Sequence, residues 1–432
     1  MWTGPLAAEV RIATFNIAMG FERAGEMAAA LESGEHERLR MVAEILQRVR
    51  PDILLLNEFD YDPAVDAAAL FNRNYLAVAA GGREAIEYPW HFRAPVNTGV
   101  DSGLDLDGDG ETGGPGDAWG FGRFPGQYGM LVLSRYPLLQ SRSRTFQHFR
   151  WADLPDASRP VQPDGTPFHT DATWSQLRLS SKSHWDLVFD VNGTKLHLLA
   201  SHPTPPVFDG PEDRNGRRNF DEIRFWREYT SPEPADWIRD DAGTTGGLAP
   251  GSRFVIAGDL NADPQDGDSR PGAIAQLLAA HWIDASCAPS STGGADAARE
   301  QGGANDQQGG DPAHDTADFD DRRTGNLRLD YLLPSANLDV RDCGVFWPAA
   351  GLTDFDPGEV VDSDIDSVLD GDDQCPDTDF QAAVVINGID TNIWNPATDP
   401  ALRLLFQDLL QRYPEVPAAE LIAEALARLN VS

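Results

Sequence analysis

Five apolar runs in this chain stop on a polar side chain, and that recurrence constrains the fold more than any bulk property. The runs are IATFNIAMG, carrying Asn16; DILLLNEFDYD, carrying Glu58; LHLLASHPTPPV, carrying His202; FVIAGDLNADP, carrying Asp259 and Asn261; and RLDYLLPS, carrying Asp330. Short apolar runs bounded by turn residues read as buried strands. Strand ends present polar side chains to a shared cleft, so these residues are expected in one site. Asp259 and Asn261 stand two apart, which points both side chains to one side of an extended chain. Oxygen donors with one imidazole suit a hard divalent cation and a phosphate.

The segments between these runs set the fold class. ERLRMVAEILQRVRP keeps helical spacing at Leu39, Val42, Ile45, Leu46 and Val49, and Pro51 stops it, so the chain opens β-α-β. QYGMLVLSRYPL and TKLHLLASH read as strands, and LRLSSKSHWDLVFDV as two strands with a turn. Helices are expected over RRNFDEIRFWREY and GAIAQLLAAHW. This mixture predicts an α+β fold, a four-layer α-β-β-α sandwich of two mixed sheets flanked by helices. Residues 97–127, 241–252 and 288–312 are Gly-rich and polar, and are expected as surface excursions.

With 432 residues and 41% hydrophobic content, the chain can bury a large core. Its net charge is −35, and only Lys182 and Lys195 are lysines. A nucleic-acid binder carries a basic footprint, because phosphate neutralisation drives binding. The field of this chain repels a polyanion, so the expected partner is a small phosphoester or a lipid headgroup, not long duplex DNA. The three cysteines form no CxxC pair, which excludes a zinc ribbon and a disulfide scaffold. No apolar run reaches the roughly 20 residues that span a bilayer. The opening MWTGPLAAEV lacks the features of a signal peptide. Nothing in the sequence sets the oligomeric state.

In order and placement, these strand-end residues resemble the endonuclease/exonuclease/phosphatase superfamily of metal-dependent phosphoesterases, over residues 9–350. The resemblance implies that Glu58, with Asn16 beside it, holds Mg2+ or Mn2+. It implies that Asp259 orients or deprotonates a water, and that Asn261 and His202 hydrogen-bond the phosphoryl oxygens. Asp330 would orient a C-terminal His from a Ser-Asp-His triplet. That triplet is where this chain departs: the last of its nine histidines is His314, and the nearest match is Ser363-Asp364-Ile365. The expected function is a divalent-metal-dependent phosphoric ester hydrolase, weakened by the missing imidazole. The alternatives are a non-catalytic, calcium-stabilised extracellular protein on the same fold, or a nuclease. The family topology could also bring Cys287 and Cys343 together in a disulfide, with two buried free thiols as the competing reading.

Other clusters carry expectations of their own. Arg214, Arg217 and Arg218 follow His202 closely, and guanidinium forks suit phosphate oxygens; ion pairs with Glu212, Asp213 and Asp221 are the competing reading. Lys182 and His184 stand two apart on an expected strand, with a structural role foreseen for His184. Asp105, Asp107 and Asp109 match the start of a calcium loop, with Gly116 where an EF-hand has Glu. Asp362, Asp364 and Asp366 lead into VLDGDDQCPDTD, which resembles a type 3 thrombospondin repeat binding Ca2+ and competes with the triplet for Asp364. Calcium loops of low affinity work outside the cell. An extracellular or periplasmic protein, its signal removed, is therefore expected, with a cytoplasmic protein as the alternative. The divisions read from the sequence are 1–350, an acidic segment 351–399, and a helical hairpin 400–432.

Overall fold

The structure, a computed structural model, describes residues 9–347 and the backbone of Val384–Asp390. The expectations placed on Asp362, Asp364 and Asp366, on the Ser363-Asp364-Ile365 triplet and on the hairpin 400–432 lie outside the described residues. One sheet has the order β10 (Asp339–Phe346), β11 (Val384–Asp390), β1 (Glu9–Asn16), β2 (Ile53–Asn57), β4 (Met130–Ser134), β3 (Trp90–Phe92). The other runs β5 (Arg144–Thr145), β6 (His184–Val191), β7 (Thr194–Ser201), β8 (Phe254–Asp259), β9 (Asp330–Pro334). Helices α1 (Glu26–Ser33), α2 (Glu37–Val49), α3 (Ala67–Phe71), α4 (Asp171–Trp174), α5 (Arg214–Thr230), α6 (Ala275–Leu278) and α7 (Thr292–Gln301) complete the elements.

Alternation along the strands produces the layers. Successive side chains leave a strand on opposite faces. In β2, Ile53 and Leu55 join a core with Trp185, Leu187, Leu198 and Val255, which fills the space between the sheets. Leu54 and Leu56 point the other way and pack with Leu39, Val42, Leu46 and Phe71 from the flanking helices. The second sheet does the same: Ala257 faces the first sheet, while Ile256 packs on Ile223, Trp226 and Tyr229 of α5. Strands apolar on both faces therefore require a helical layer outside each sheet, and the result is the four-layer sandwich. Each large side chain buried in these cores contributes about 1.5–3 kcal/mol.

Both sheets are mixed. β1–β2 and β7–β8 are parallel, and the remaining pairs are antiparallel. The boundary expected at residue 350 does not close the first sheet. β11, from beyond it, lies between β10 and β1 and covers the hydrogen-bonding edge that β1 would otherwise leave open.

Three local expectations are corrected. The 288–312 loop contains α7, whose N-cap Ser291 accepts from the Gly294 amide at 3.0 Å. The helix expected over GAIAQLLAAHW shortens to α6. The 97–127 segment is partly interior: Asn97, Thr98, Asp117 and Gln127 are buried, and the Asn97 amide donates to two carbonyls, those of Gln147 and Ser180, at 2.8 Å each. Cys287 and Cys343 are bonded, with α-carbons 6.3 Å apart.

Candidate active site at the strand ends

β1, β2, β7, β8 and β9 deliver the expected side chains to one place. β1 and β2 are parallel and in register at Asn16↔Asn57, so Asn16 and Glu58 leave the first sheet at the same level. The Asn16 side-chain amide donates to Glu58 Oε1 and to Asp259 Oδ2, 3.0 Å each, joining the two sheets across the cleft. Its own carbonyl oxygen accepts from the Ala18 amide at 3.0 Å, which settles the orientation of the group.

In the second sheet, Asp259 and Asp330 are direct cross-strand partners, so their carboxyl groups share one face. β7 runs parallel to β8 with Ala200 opposite Ala257, and this brings His202 beside Asp259, Nε2 to Oδ2 3.7 Å. That separation is too long for a hydrogen bond. Gly258 makes the approach of β7 and β8 feasible. Its φ is +146°, and an added Cβ would lie 1.9 Å from the Ser201 carbonyl oxygen.

Glu58 and Asn261 both adopt left-handed backbone, with φ of 59° and 50°. Such conformations cost about 1–3 kcal/mol and persist where the surroundings over-determine them. The surroundings are visible at Asn261. Its amide donates to Asp259 Oδ1 at 2.8 Å, and its side-chain nitrogen to the Pro203 carbonyl at 3.1 Å.

The electrostatics follow from burial of like charges. Asp259 is 6% and Asp330 3% exposed. Burial pushes the Asp259 carboxyl up, against the hydrogen bonds from Asn16 and Asn261. Burial also pushes Asp330 well above the usual carboxylate range, and the Asp259 charge adds to it. Asp330 Oδ1 and His202 Nδ1 have no hydrogen-bond partner among the described residues. His202 is turned toward Asp259, and no hydrogen bond joins Asp330 Oδ1 to its imidazole. Burial, with Lys182 nearby, holds the His202 pKa well below its usual value, and the ring is neutral at neutral pH. Glu58, Asp259 and Asp330 add their negative charge to one cleft and Asp330 keeps an orphaned acidic oxygen, a charge that a divalent cation would offset, while among the described residues only Asp105, Asp107 and Asp109 bring three carboxylate oxygens within 4.8 Å of one another. Glu58 is the half-buried carboxylate of this cleft, and the Asn16 side chain turns its N–H groups, not its oxygen, toward it.

Residues outside the strand-end pattern support the site. Asn57 Oδ1 accepts from the Asp259 amide at 3.2 Å. Asn219 of α5 donates to the carbonyls of Thr204, Leu260 and Asn261, between 2.9 and 3.2 Å. Glu222, one turn on, accepts from the Ser181 and Thr204 amides, both at 2.7 Å. Both are fully buried on the inner face of α5. A buried polar residue in an otherwise amphipathic helix was the only sequence sign of them.

The arginine cluster has partners of its own. Arg218 donates to the carbonyls of Leu179, Trp119 and Arg178. Arg214 pairs with Glu212, and Arg217 lies 3.8 Å from Asp213. His184 is buried, bonds to the Glu222 carbonyl at 2.9 Å and packs on Phe225 and Trp226. The strand expected over SSKSHW begins only at His184, because Glu222 captures the Ser181 amide and the Asn97 amide takes the Lys182 carbonyl. Away from the cleft, Asp105, Asp107 and Asp109 bring carboxylate oxygens within 4.8 Å of one another. Each accepts a backbone amide two or three residues on.

Among solved structures, an endonuclease/exonuclease/phosphatase from Beutenbergia cavernae is 15% identical, with a TM-score of 0.46, covering 88% of this chain and 71% of that one. Sphingomyelinase C from Streptomyces griseocarneus is 16% identical, with a TM-score of 0.42 and coverage of 88% and 99%. A beta toxin from Staphylococcus aureus with bound magnesium ions is 11% identical, at 0.40, with coverage of 88% and 99%. No curated protein shows a significant match. The profile of the Endonuclease/Exonuclease/phosphatase family matches residues 13–364, which span every strand-end residue of the cleft, and the chain belongs to that family.

Proposed function

We propose that this protein is a divalent-metal-dependent phosphoric ester hydrolase acting on a small phosphoester or a lipid headgroup. The observation that carries this reading is the bridge made by Asn16, which ties Glu58 of one sheet to Asp259 of the other at a cleft of buried carboxylates. Glu58 would hold Mg2+ or Mn2+ at the half-buried side of the cleft, with Asn16 beside it orienting the Glu58 carboxylate through its side-chain N–H. A bound divalent ion supplies polarisation of the phosphoryl oxygen and stabilisation of the leaving oxygen.

The chain's own groups do the rest. Asp259 aligns a water for in-line attack and takes its proton; burial raises its basicity toward that task. Asn261 uses one side-chain N–H on the Pro203 carbonyl and keeps the other for a phosphoryl oxygen. His202, neutral and with Nδ1 unpartnered, adds polar contact on the same side. The net charge of −35 favours small anionic esters over polynucleotides.

The test is turnover of a nitrophenyl phosphodiester with and without Mg2+, by the wild type, Glu58→Gln and Asp259→Asn. Metal-dependent hydrolysis is expected, with both variants reduced about a thousandfold or more. Absence of metal-dependent turnover from a folded wild-type sample, across monoesters and diesters, defeats the reading. Efficient plasmid nicking at moderate salt would transfer it to the nuclease alternative.

A further inference from the structure

Lys182 is a basic residue near the cleft that the foregoing mechanism does not use; Arg38, which feels the Glu58 charge, donates to the Ala18 carbonyl. Lys182 is one of only two lysines in the chain. The other, Lys195, is exposed. Lys182 is 5% exposed, and among the described residues its ammonium makes no hydrogen bond and no ion pair. Its backbone adjoins Ser181, which Glu222 ties to the segment carrying His202, and its charge is felt with those of Glu222, Glu58, Asp259 and the His202 ring. The side chain is buried, yet its Nζ is not one of the fully buried polar atoms without a partner, so the ammonium keeps access to solvent; enclosing so much of a charged side chain is still costly.

The surrounding backbone is clamped, so the placement is enforced. The Lys182 carbonyl accepts from the Asn97 amide at 2.9 Å. Its neighbour Ser181 gives both amide and hydroxyl to Glu222 Oε1, at 2.7 and 3.2 Å, and Glu222 Oε2 receives the Thr204 amide, two residues past His202. One buried carboxylate thus ties the Lys182 and His202 segments together. Glu222 accepts three hydrogen bonds from these donors and none from Lys182, on which it acts through its charge. Burial pulls the lysine pKa down, and the three carboxylates oppose it.

We propose that Lys182 is a substrate-contacting residue, whose ammonium binds a nonbridging oxygen of the phosphoryl group. This rests on the phosphoester reading. It supplies the positive donor that a C-terminal imidazole gives in the family pattern and that no histidine after His314 can give here. A compact ammonium with three N–H donors suits a tetrahedral anion that gains charge as the water attacks.

The experiment compares wild type, Lys182→Met, Lys182→Arg and, as a control at the exposed amine, Lys195→Met. Four quantities are read: binding of inorganic phosphate to the Mg2+-loaded protein, binding of Mg2+ alone, kcat/KM on the nitrophenyl ester, and Tm. In Lys182→Met, phosphate affinity is expected to fall at least about tenfold and kcat/KM about a hundredfold. Mg2+ should bind at least as tightly, because a like charge has gone. Tm should not fall, because an apolar chain of similar length replaces a charged chain that is largely buried and unpaired. Lys182→Arg should recover part of the phosphate affinity, and Lys195→Met should match wild type. Phosphate affinity and kcat/KM within about threefold of wild type would overturn the proposal. So would a lower Tm with weakened Mg2+ binding in Lys182→Met, the signature of an internal counterion. A wild type that neither binds phosphate nor turns over the ester sinks the phosphoester reading itself, independently of any Lys182 variant.

Discussion

The two sheets bring polar residues to the same cleft under opposite conditions. At the end of the first sheet, Asn16 and Glu58 are half-buried, and their hydrogen bonds run to each other, to Asp259 and to a local amide. At the end of the second, His202, Asp259 and Asp330 are 2%, 6% and 3% exposed. Behind them α5 inserts Asn219 and Glu222, which together engage three backbone segments. An open rim with few constraints suits a group that enters and leaves with its own water. A buried wall pinned to the backbone suits a transition state whose geometry must not vary.

The largest expected effect separates the halves by function and stability together. Glu58→Gln and Asp259→Asn should both lose activity about a thousandfold or more. Neither should lower the Tm of the metal-free protein, since each removes one of three mutually repelling carboxylates. A loss of fold in both would mark the residues as structural and erase the distinction.

Next in size is the link between the halves. The bond from Cys287, beside the second sheet, to Cys343, in edge strand β10 of the first, closes a separation of 56 residues. Replacing both cysteines with serine should cost about 4 kcal/mol, read from the denaturant midpoint. A smaller loss would mean that the reduced chain stays compact when unfolded.

A third test addresses the wall alone. Glu222→Gln turns an acceptor of backbone amides into a partial donor and should cost about 1–3 kcal/mol. It should also raise KM for phosphate esters, because the Lys182 and His202 segments are no longer tied. Unchanged kinetics in a destabilised protein would show that α5 supports the fold without setting the site.

The smallest effect is a pH dependence. Burial raises Asp60 from 3.8 to about 7 and Asp315 to about 8, and pushes Asp259 and Asp330 up as well. These acids hold protons more tightly folded than unfolded. Their contribution to stability is therefore greatest below about pH 4 and is lost as pH rises through about 6 to 8. The metal-free Tm should fall between pH 5.5 and 8, and Mg2+ should restore more at the higher pH. A metal-free Tm that climbs over that interval would contradict the burial of these groups.

What could be read from the sequence divides along the same line. Asn16, Glu58, His202, Asp259, Asn261 and Asp330 were legible because each interrupts or ends an apolar run, and strand ends converge. Asn57, Asn219 and Glu222 were not, because their partners are backbone atoms brought near only by tertiary packing. Arg218 illustrates the reverse error. A local excess of arginine pointed to phosphate, but the side chain faces inward and meets three carbonyls. The layering was legible because strands apolar on both faces need cover on both. Helix α7 was hidden by composition, since Gly and Ala around a serine cap look like a loop until the cap is seen.

The Cys287–Cys343 bond makes a covalent ring of the chain between its ends. Within that ring lie α7, the acidic loop around Asp315 and the whole of β9 with Asp330. A protease that cuts the ring once, in the Gly- and Gln-rich turn after α7, cannot release either piece. The nicked molecule keeps Asp330 tethered beside Asp259, runs as one species without reductant and separates into two with it. A cleavage that would normally discard the last strand of the second sheet becomes, under oxidising conditions, a scar the fold can carry.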